Sequence, residues 1–539
     1  MKKFIYSYIP KNLDIEKLLI ENPPNFKVNK NKLLYILGLP FEIASYDHDK
    51  YSDDGFIPIN AKKLQEVGIR DFPKYRDWLL ANKIWESNMQ YIVGKHARSY
   101  RFTSTYQVSL KEEISKNESF IKRISKKQQE INNTIKKYPQ LFKWMEGLEI
   151  NKLEALKYID LVFEIDSKKK KVKKNKPFNE IIPKCNVKGK KKNKDSIKNP
   201  LLRHQFSFVG INKLFYKQID FKQDTAVERL HTNLTNIKSE LRQFITYKGE
   251  LLVNIDIKNS QPFISTLLLN AAFWLEALGN SAKTVNFNIK STDEAAKSKF
   301  IIEETMINPK FLQNLTISNE TSFNINSLTP NNKIALLSNF NSSSSYPCSN
   351  IMLADLIETI DNEDVILFIK LCEEGTFYEY LEEQFKQIPD SLKLNIKTRK
   401  ELKEVIFTVL FTSNKFIGQK RALPKKIFKG IFPNVYKIFA MTKKKAKKIL
   451  PKTLQNLESK MVLDRITRRI SREKPDLPIF TIHDSITTTV GNEEYVKKVM
   501  EEEIIKAIGI KPCLSMDYWS PSNIDWDKLY KEAEEVKNT

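Results

Sequence analysis

The segment TRKELKEVIFTVLF, residues 398–411, carries two cations and two aromatic rings at intervals of four residues. On an α-helix, Arg399, Lys403, Phe407 and Phe411 would form one stripe, because residues four apart lie on the same face. A guanidinium and an ammonium one turn apart can bind phosphates, and a ring can support a sugar and a base. The segment therefore predicts a helix that binds a nucleoside triphosphate.

Two apolar runs, each with an aspartate, flank this segment in the chain. LLVNIDIKNSQPF, residues 251–263, predicts a buried strand with Asp256 near its end, and PIFTIHDSITTTV, residues 478–490, predicts a hairpin with His483 and Asp484 near its turn. Two aspartates on neighbouring strands can hold the two divalent cations that catalyse phosphoryl transfer. Taken singly, each has an ordinary structural explanation: Asp256 as a helix cap and His483 as a buried imidazole with hydrogen-bond partners.

Together the motifs resemble family A DNA polymerases, the bacterial DNA polymerase I type, and more distantly the single-subunit RNA polymerases. The resemblance extends from about residue 225 to the carboxyl terminus. It implies an α+β right-hand fold with an antiparallel palm sheet and helical fingers. It also implies that Asp256 and Asp484 bind two Mg²⁺ ions, or Mn²⁺, and that Lys403 is catalytic. Arg399, Lys403, Phe407 and Phe411 would bind the nucleotide.

Three further segments carry the resemblance. VERLHTNLTNI, residues 227–237, resembles a segment that touches the primer-template, which implies that Arg229 and Asn233 bind nucleic acid. LQNLESKMV, residues 454–462, resembles the helix that places a polar side chain near the nascent base pair and implies Gln455, while IHDS implies His483 near the primer terminus. The region 496–526 resembles the closing helix and strand of the family.

The chain also departs from the family pattern. Gln261 stands where the DNA enzymes have a glutamate that blocks a ribose 2′-hydroxyl, and a nearly isosteric glutamine is expected to keep that role. The family's motif on this helix usually ends in tyrosine and glycine, where this chain has Phe411 and Thr412. The tyrosine's phenolic oxygen is therefore missing, which favours deoxynucleotides. About 140 residues separate Asp256 from Arg399, more than is typical of the family, and an Asn/Ser-rich insertion at about 314–350 lies between them.

The amino-terminal region, residues 1–166, predicts helix, helix and a small hairpin over 59–103. This order resembles a winged helix with its wing near five residues: Tyr91, Lys95, Arg98, Tyr100 and Arg101. An ordinary helical subdomain with a core of aromatic residues explains the pattern equally well. Helical patterns from about residue 111 to 163 could serve as a thumb, and we find no pattern of a proofreading exonuclease.

Composition divides the chain into three parts. A Lys-rich linker or loop at 167–195 separates the amino-terminal region from a polymerase-like region, 196–539. The net charge of +25 and a pI near 9.4 favour a polyanionic partner such as a DNA primer-template. The four cysteines show no zinc or disulfide spacing, which suits a reducing cytoplasm, and no stretch is long enough to span a membrane.

The sequence leaves three hypotheses open. The first is a DNA polymerase that extends a 3′-hydroxyl with dNTPs, of the small kind that a mobile element carries. The second is an enzyme of the same type that makes RNA, a single-subunit RNA polymerase or primase-like enzyme. The third is a non-catalytic DNA-binding replication initiator in which the palm is only a scaffold. Two carboxylates and two phosphate-binding cations favour an enzyme, because a scaffold has no chemical need for them.

Overall fold

The structure is a computed structural model that combines helices with antiparallel sheets. It describes residues 4–46, 54–88, 97–125, 129–175, 199–276, 285–286, 299–300, 350–359, 363–387, 399–414, 422–444 and 446–537. Most of the predicted insertion at 314–350 and of the predicted linker at 167–195 therefore lies outside the described residues. No helix among those described is long and apolar enough to cross a membrane.

The α-helices of the first 276 residues are α1 (Ile15–Glu21), α2 (Lys30–Tyr46), α3 (Ala61–Glu66), α4 (Phe72–Ala81), α5 (Glu118–Ser125), α6 (Gln129–Lys137), α7 (Pro139–Phe142), α8 (Lys152–Asn175), α9 (Pro200–Phe215), α10 (Asn233–Asn236), α11 (Ser260–Ser265) and α12 (Ala271–Glu276). Those that follow are α13 (Asn350–Thr359), α14 (Glu363–Glu374), α15 (Phe377–Lys386), α16 (Arg399–Phe411), α17 (Leu423–Ile431), α18 (Pro433–Thr442), α19 (Ile449–Ser459), α20 (Thr467–Glu473), α21 (Glu493–Ile508) and α22 (Trp526–Lys537). A π-helical segment, Lys460–Ile466, joins α19 to α20.

The strands are β1 (Ile5–Pro10), β2 (Ile57–Pro58), β3 (Trp85–Ser87), β4 (Ser99–Phe102), β5 (Leu110–Ser115), β6 (Leu148–Ile150), β7 (Phe221–Gln223), β8 (Leu230–Thr232), β9 (Ile245–Tyr247), β10 (Glu250–Ile257), β11 (Val285–Asn286), β12 (Lys299–Phe300), β13 (Ile479–Ile482), β14 (Ser485–Thr489) and β15 (Leu514–Trp519). The strand predicted at 251–256, the hairpin predicted at 479–490, the helix predicted at 399–411 and the closing helix and strand are all present.

The chain forms two compact units that are not contiguous in sequence. The first consists of Met1–Lys222, His231–Leu252 and Tyr518–Thr539, and the second of Gln223–Leu230 and Val253–Asp517. The division predicted from composition, at residues 166 and 195, is different. The reason is that α9, which lies in the region predicted to be polymerase-like, packs on α8: Arg203 binds Asp166 at 2.8 Å, and His204 Nε2 lies 2.7 Å from Asp160 Oδ1.

The first unit has its core between α2, α4 and several short antiparallel strand pairs. β1 pairs with β5 from Ile5↔Ser115 to Pro10↔Leu110, and β6 pairs with β9. Buried side chains of both helices and of β1 fill the space between these elements, among them Tyr8, Ile36 and Phe72. This apolar core is what orders the amino-terminal region, because the burial of apolar area is the main favourable contribution to folding.

The predicted order helix, helix and hairpin is confirmed by α3, α4, β3 and β4. β4 lies between β2 and β3 in a three-stranded antiparallel sheet. Tyr100 belongs to the core, where it is 2% exposed, and Arg101 Nε donates to Glu86 Oε1 at 2.9 Å. Arg98 is exposed. Tyr91 and Lys95 lie outside the described residues, so a role of this hairpin in binding DNA stays a prediction.

The first residues of the predicted Lys-rich linker are helical. α8 continues to Asn175, nine residues beyond the predicted end of the amino-terminal region at residue 166. Lysine has a good intrinsic helix propensity, and a helix that already has a packed first half propagates at low cost. The prediction of a linker from Ser167 is therefore wrong for the part that the structure describes.

The second unit contains an antiparallel hairpin beside a long strand. β13 and β14 pair from Ile479↔Thr488 to Ile482↔Ser485, β14 pairs with β10, and β15 pairs with β10. Lys258 N donates to Cys513 O at 2.9 Å, which fixes the start of β15 beside the end of β10. Every residue of β13 and β14 is buried, so this part of the sheet is covered on both faces.

α16 has one apolar and one polar face. Leu402, Val405, Ile406, Val409 and Leu410 are buried, whereas Lys403 and Phe407 are exposed. Its carboxyl end is capped by two buried lysines. Lys443 Nζ donates to Val409 O, and Lys425 Nζ donates to Ser413 O and, at 3.2 Å, to Thr412 O. Carbonyls at a helix end need donors, and the helix dipole favours cations there.

This cap should make the second unit sensitive to pH. Burial, and then the charge of Lys425, lower the pKa of Lys443 to about 7 from an ordinary value of 10.5. Between these two values the unfolded chain binds more protons at this site than the folded protein, so stability rises with pH. Relative to Lys443→Met, the wild type should gain up to about 1.4 kcal/mol in free energy of unfolding per pH unit over this range.

Denaturant unfolding at pH 7 and pH 9.5 measures this effect. Lys444→Met, at an exposed neighbouring position, is the matched control and should follow the wild type. Parallel pH dependence of the wild type and Lys443→Met would contradict a lowered pKa at Lys443.

Candidate functional site

The end of β10 lies beside the turn of the β13–β14 hairpin. Asn254 Oδ1 accepts hydrogen bonds from Ser485 Oγ and Thr487 Oγ1, both at 2.8 Å, so these three side chains lie on one face of the sheet. Asp256 is two residues further along β10 and therefore points to the same face, about 7 Å from Asn254. The strand pairing thus brings Asp256 to the edge of the sheet where the turn carries His483 and Asp484.

Both turns at this edge contain a non-glycine residue in the left-handed region. Asn259 has φ 56° and His483 has φ 57°. Asparagine and histidine are among the residues that adopt this conformation more readily, at a cost of order 1 kcal/mol. Asn259 leads directly into α11, whose first residues are Ser260 and Gln261. The tight turn brings Ser260, the first residue of α11, to Asp484 of the hairpin turn.

Asp484 lies at the centre of the site. Burial raises its pKa, and four favourable interactions oppose the shift: the Ser260 hydroxyl, the backbone N–H of Asp484, and the charges of Arg229 and Lys403. The Ser260 hydroxyl is buried, and its interaction with Asp484 favours the ionised carboxylate. Two cations from distant parts of the sequence thus act on one carboxylate.

A second carboxylate, Glu458 on α19, lies in the same cluster. Arg229 donates to it through Nε at 2.8 Å and Nη2 at 2.7 Å, and Gln261 Nε2 donates to Oε2 at 2.5 Å. Burial, and then the charge of Asp484, raise the pKa of Glu458 to about 7, while Arg229 and Gln261 lower it. The two carboxylates therefore repel each other across a largely buried site.

Glu458 was not predicted, although the sequence carries a signal for it. Leu450, Leu454 and Met461 form an apolar stripe on the helix, and Glu458 falls in the same register. A carboxylate at such a position is either paired or functional, because an unpaired buried charge is very costly. Asn254, Asn259 and Ser260 were also missed; single polar residues beside an apolar run give no signal of their own.

The predicted nucleotide-binding stripe is formed on α16. Phe407 and Phe411 stack with their ring centroids 5.2 Å apart and an interplanar angle of 10°, and Phe407 is 41% exposed. Arg399 donates to Glu379 Oε1 at 2.9 Å, so its charge is partly balanced in this structure. Lys403 is exposed, lies 5.8 Å from the Tyr378 ring and acts on Asp484.

The structure brings together most of the predicted site residues but not all of them. Arg229, Gln261, Lys403 and Asp484 are linked through Glu458 or through charge effects, and the pairing of β10 with β14 places Asp256 and His483 at the same edge of the sheet. Asn233 belongs to the first unit, and its amide accepts from Asp220 N and donates to Gln218 O, both within that unit. Gln455 is half-buried on α19, and Glu458, one turn later, is the side chain that enters the cluster.

The donor set fits a hard divalent cation only in part. Among the described residues, no three His, Cys, Asp or Glu side chains form a ready-made metal site. Mg²⁺ is commonly held by one or two carboxylates together with substrate phosphates, and Asp256 and Asp484 supply that number. Asn259 and Gln261 Oε1, in the turn and the helix that follow β10, are buried polar groups that make no hydrogen bond. These groups suit a site that a cation and a phosphate complete.

Comparisons with known proteins give little. No protein-family model and no curated protein matches the chain. Among solved structures, the chain is similar to the POL domain of Pol1 from M. smegmatis in complex with DNA primer-template and dNTP, at 13% sequence identity and a TM-score of 0.27. That match covers 74% of this chain and 71% of the other. A TM-score this low establishes neither a common fold nor a function.

The raised pKa of Asp484 predicts that its charge destabilises the folded protein. A carboxyl whose pKa is higher in the folded state loses stability as the pH rises through that value. Asp484→Asn should therefore increase the free energy of unfolding at pH 8, and the gain should shrink as the pH falls.

Thermal unfolding of both proteins at pH 8 and pH 5 measures this difference. Asp476→Asn, at an exposed position before the hairpin, is the control and should show no gain. A destabilised Asp484→Asn at pH 8 would mean that the carboxylate is net favourable for the fold, against the burial argument.

Proposed function

We propose that the protein is a template-directed nucleotidyl transferase, and specifically a DNA polymerase that extends a 3′-hydroxyl with dNTPs without proofreading. One observation carries the proposal: Asp484 is buried at the hairpin turn, and the positive charges of Arg229 and Lys403 both lower its pKa. A carboxylate for metal ions and cations for phosphates are thus close enough to serve a single substrate. This agrees with the resemblance of the motifs to family A polymerases.

In this proposal Asp256 and Asp484 hold the metal ions. Two Mg²⁺ ions would activate the attacking 3′-oxygen and stabilise the leaving pyrophosphate. The chain itself does the rest. Lys403 and Arg399 bind the phosphates, and Arg399 exchanges Glu379 for the triphosphate. Phe407, the more exposed ring of the stacked pair, packs against the sugar and base. Lys403 contributes most as negative charge builds up on the leaving group.

One observation favours the alternative in which ribonucleotides are used. Gln261 donates its amide N–H to Glu458, and its Oε1 is buried without a hydrogen bond. An acceptor in that position could bind a sugar hydroxyl instead of excluding it. dNTPs and NTPs therefore belong in the same assay, on a primed and on an unprimed template.

The metal-binding role gives the first test of activity. Asp256→Asn and Asp484→Asn should each reduce nucleotide incorporation on a primed template by at least about 10³-fold, because either change removes a ligand that the transition state needs. Primer-template affinity should change little. Incorporation at the wild-type rate in either variant would contradict the proposed catalytic site. If the wild type itself incorporates no nucleotide, the non-catalytic initiator is the hypothesis that remains.

The cationic stripe gives the second test. Lys403→Ala should lower kcat as well as kcat/KM, by about 10-fold to 100-fold, because its charge acts mainly in the transition state. Lys426→Ala, an exposed lysine on α17, is the matched control for the loss of one positive charge. Steady-state incorporation kinetics separate the two. Equal effects of both substitutions would make the stripe an ordinary solvated helix face.

A further inference from the structure

Three segments that are far apart in the sequence meet at the carboxylate of Glu458. The guanidinium of Arg229 contacts it with two nitrogens, Nε at 2.8 Å and Nη2 at 2.7 Å. Gln261, the second residue of α11, donates to Oε2 at 2.5 Å. We propose that Glu458 is a positioning residue that holds Arg229 and Gln261 in the orientation in which they meet the substrate. That these residues meet a nucleotide or nucleic-acid substrate rests on the proposed function.

The burial of Glu458 indicates that this position needs a carboxylate for its hydrogen bonds and not for packing. The residue is 1% exposed, and the neighbouring positions on the same stripe of α19, Leu450 and Leu454, are fully buried leucines. An apolar side chain would suit the packing of this helix better than a carboxylate does. What the carboxylate adds is the two-pronged contact with Arg229 and the contact with Gln261, because a planar carboxylate matches the fork of a guanidinium.

The contacts to Glu458 also decide which atoms of its partners remain for a ligand. Arg229 contacts Glu458 through Nε and Nη2, so its Nη1 takes no part in this contact. Gln261 uses its amide nitrogen, and its Oε1 makes no hydrogen bond. Glu458 thereby orients one donor and one acceptor next to Asp484. A nucleic-acid or nucleotide substrate presents both kinds of partner, as phosphate, sugar and base oxygens and as hydroxyl or amino groups.

The hydrogen-bonded pair of Gln261 and Glu458 contains one negative charge, on Glu458. Glu458→Gln removes it, and the single amide oxygen can no longer accept all three hydrogen bonds, two from Arg229 and one from Gln261. The exchange variant Gln261→Glu with Glu458→Gln puts the charge back at the other end of the same hydrogen bond, where it can again bind Arg229. Gln261→Glu alone places two carboxylates in contact next to Asp484.

Four proteins are therefore compared: the wild type, Glu458→Gln, Gln261→Glu and the exchange variant. Glu458→Gln and Gln261→Glu should each lose about 10-fold to 100-fold in kcat/KM for incorporation, and the exchange variant should recover most of the loss. Recovery of thermal stability without recovery of kcat/KM would assign Glu458 a purely structural role and overturn the inference. Wild-type kinetics for Glu458→Gln would overturn it as well.

A readout without activity separates this inference from the proposed function. Phenylglyoxal modifies accessible arginines, and mass spectrometry locates the modified residues. Arg229, whose side chain is 20% exposed and bound to Glu458, should be protected in the wild type and in the exchange variant, and it should react at least 5-fold faster in Glu458→Gln. Arg468, 55% exposed, is the internal reference and should react equally in all four proteins.

The two failures then have different signatures. A wild type that incorporates no nucleotide ends the proposed function, while the modification of Arg229 still decides whether Glu458 holds it. Unchanged protection of Arg229 in Glu458→Gln ends the inference even if the enzyme is active. Should Glu458→Gln fail to fold, Glu458→Asp carries the same test, because it keeps the charge but shortens the side chain by one methylene; equal protection of Arg229 in that folded variant would count against the inference.

Discussion

The pairing of β10 with the β13–β14 hairpin is the constraint on which the site depends. Asn254 accepts from Ser485 and Thr487 and so fixes the register of the two strands on one face. A slip of one residue would turn Asp256 to the opposite face, because side chains alternate along a strand. The site therefore depends on the strand register, and the buried hairpin strands stabilise that register.

Electrostatic balance is the second condition. Asp484 and Glu458 are both forced towards their protonated forms by burial, and each is drawn back by Arg229. A buried carboxylate whose pKa is raised marks a candidate functional site when a specific charged partner lies beside it. Here the partner on the other side is Lys403, an exposed cation of α16. Buried carboxylates beside exposed cations suit a site that binds a metal ion and a polyanion together. Nucleotide transfer requires such a site.

Much of this organisation could be predicted from the sequence. The strand with Asp256, the hairpin with Asp484 and the helix with the stripe are long, strongly patterned segments, and all three are present. Pairings between polar side chains could not be predicted, because they depend on tertiary contacts: Glu458 was missed and Asn233 proved to hold the backbone of its own unit. The first residues of the predicted linker continue α8 to Asn175, because a helix that is already formed propagates at low cost.

The central claim is that Asp256 and Asp484 bind the same divalent cations. Replacing Mg²⁺ by Fe²⁺ and generating hydroxyl radicals cuts a polypeptide backbone next to the bound metal. In the presence of a primer-template and a non-hydrolysable dNTP analogue, we expect cuts near residues 254–258 and 482–486, and excess Mg²⁺ should suppress both together. Cuts confined to other parts of the chain, or none at all with the nucleotide bound, would contradict the account.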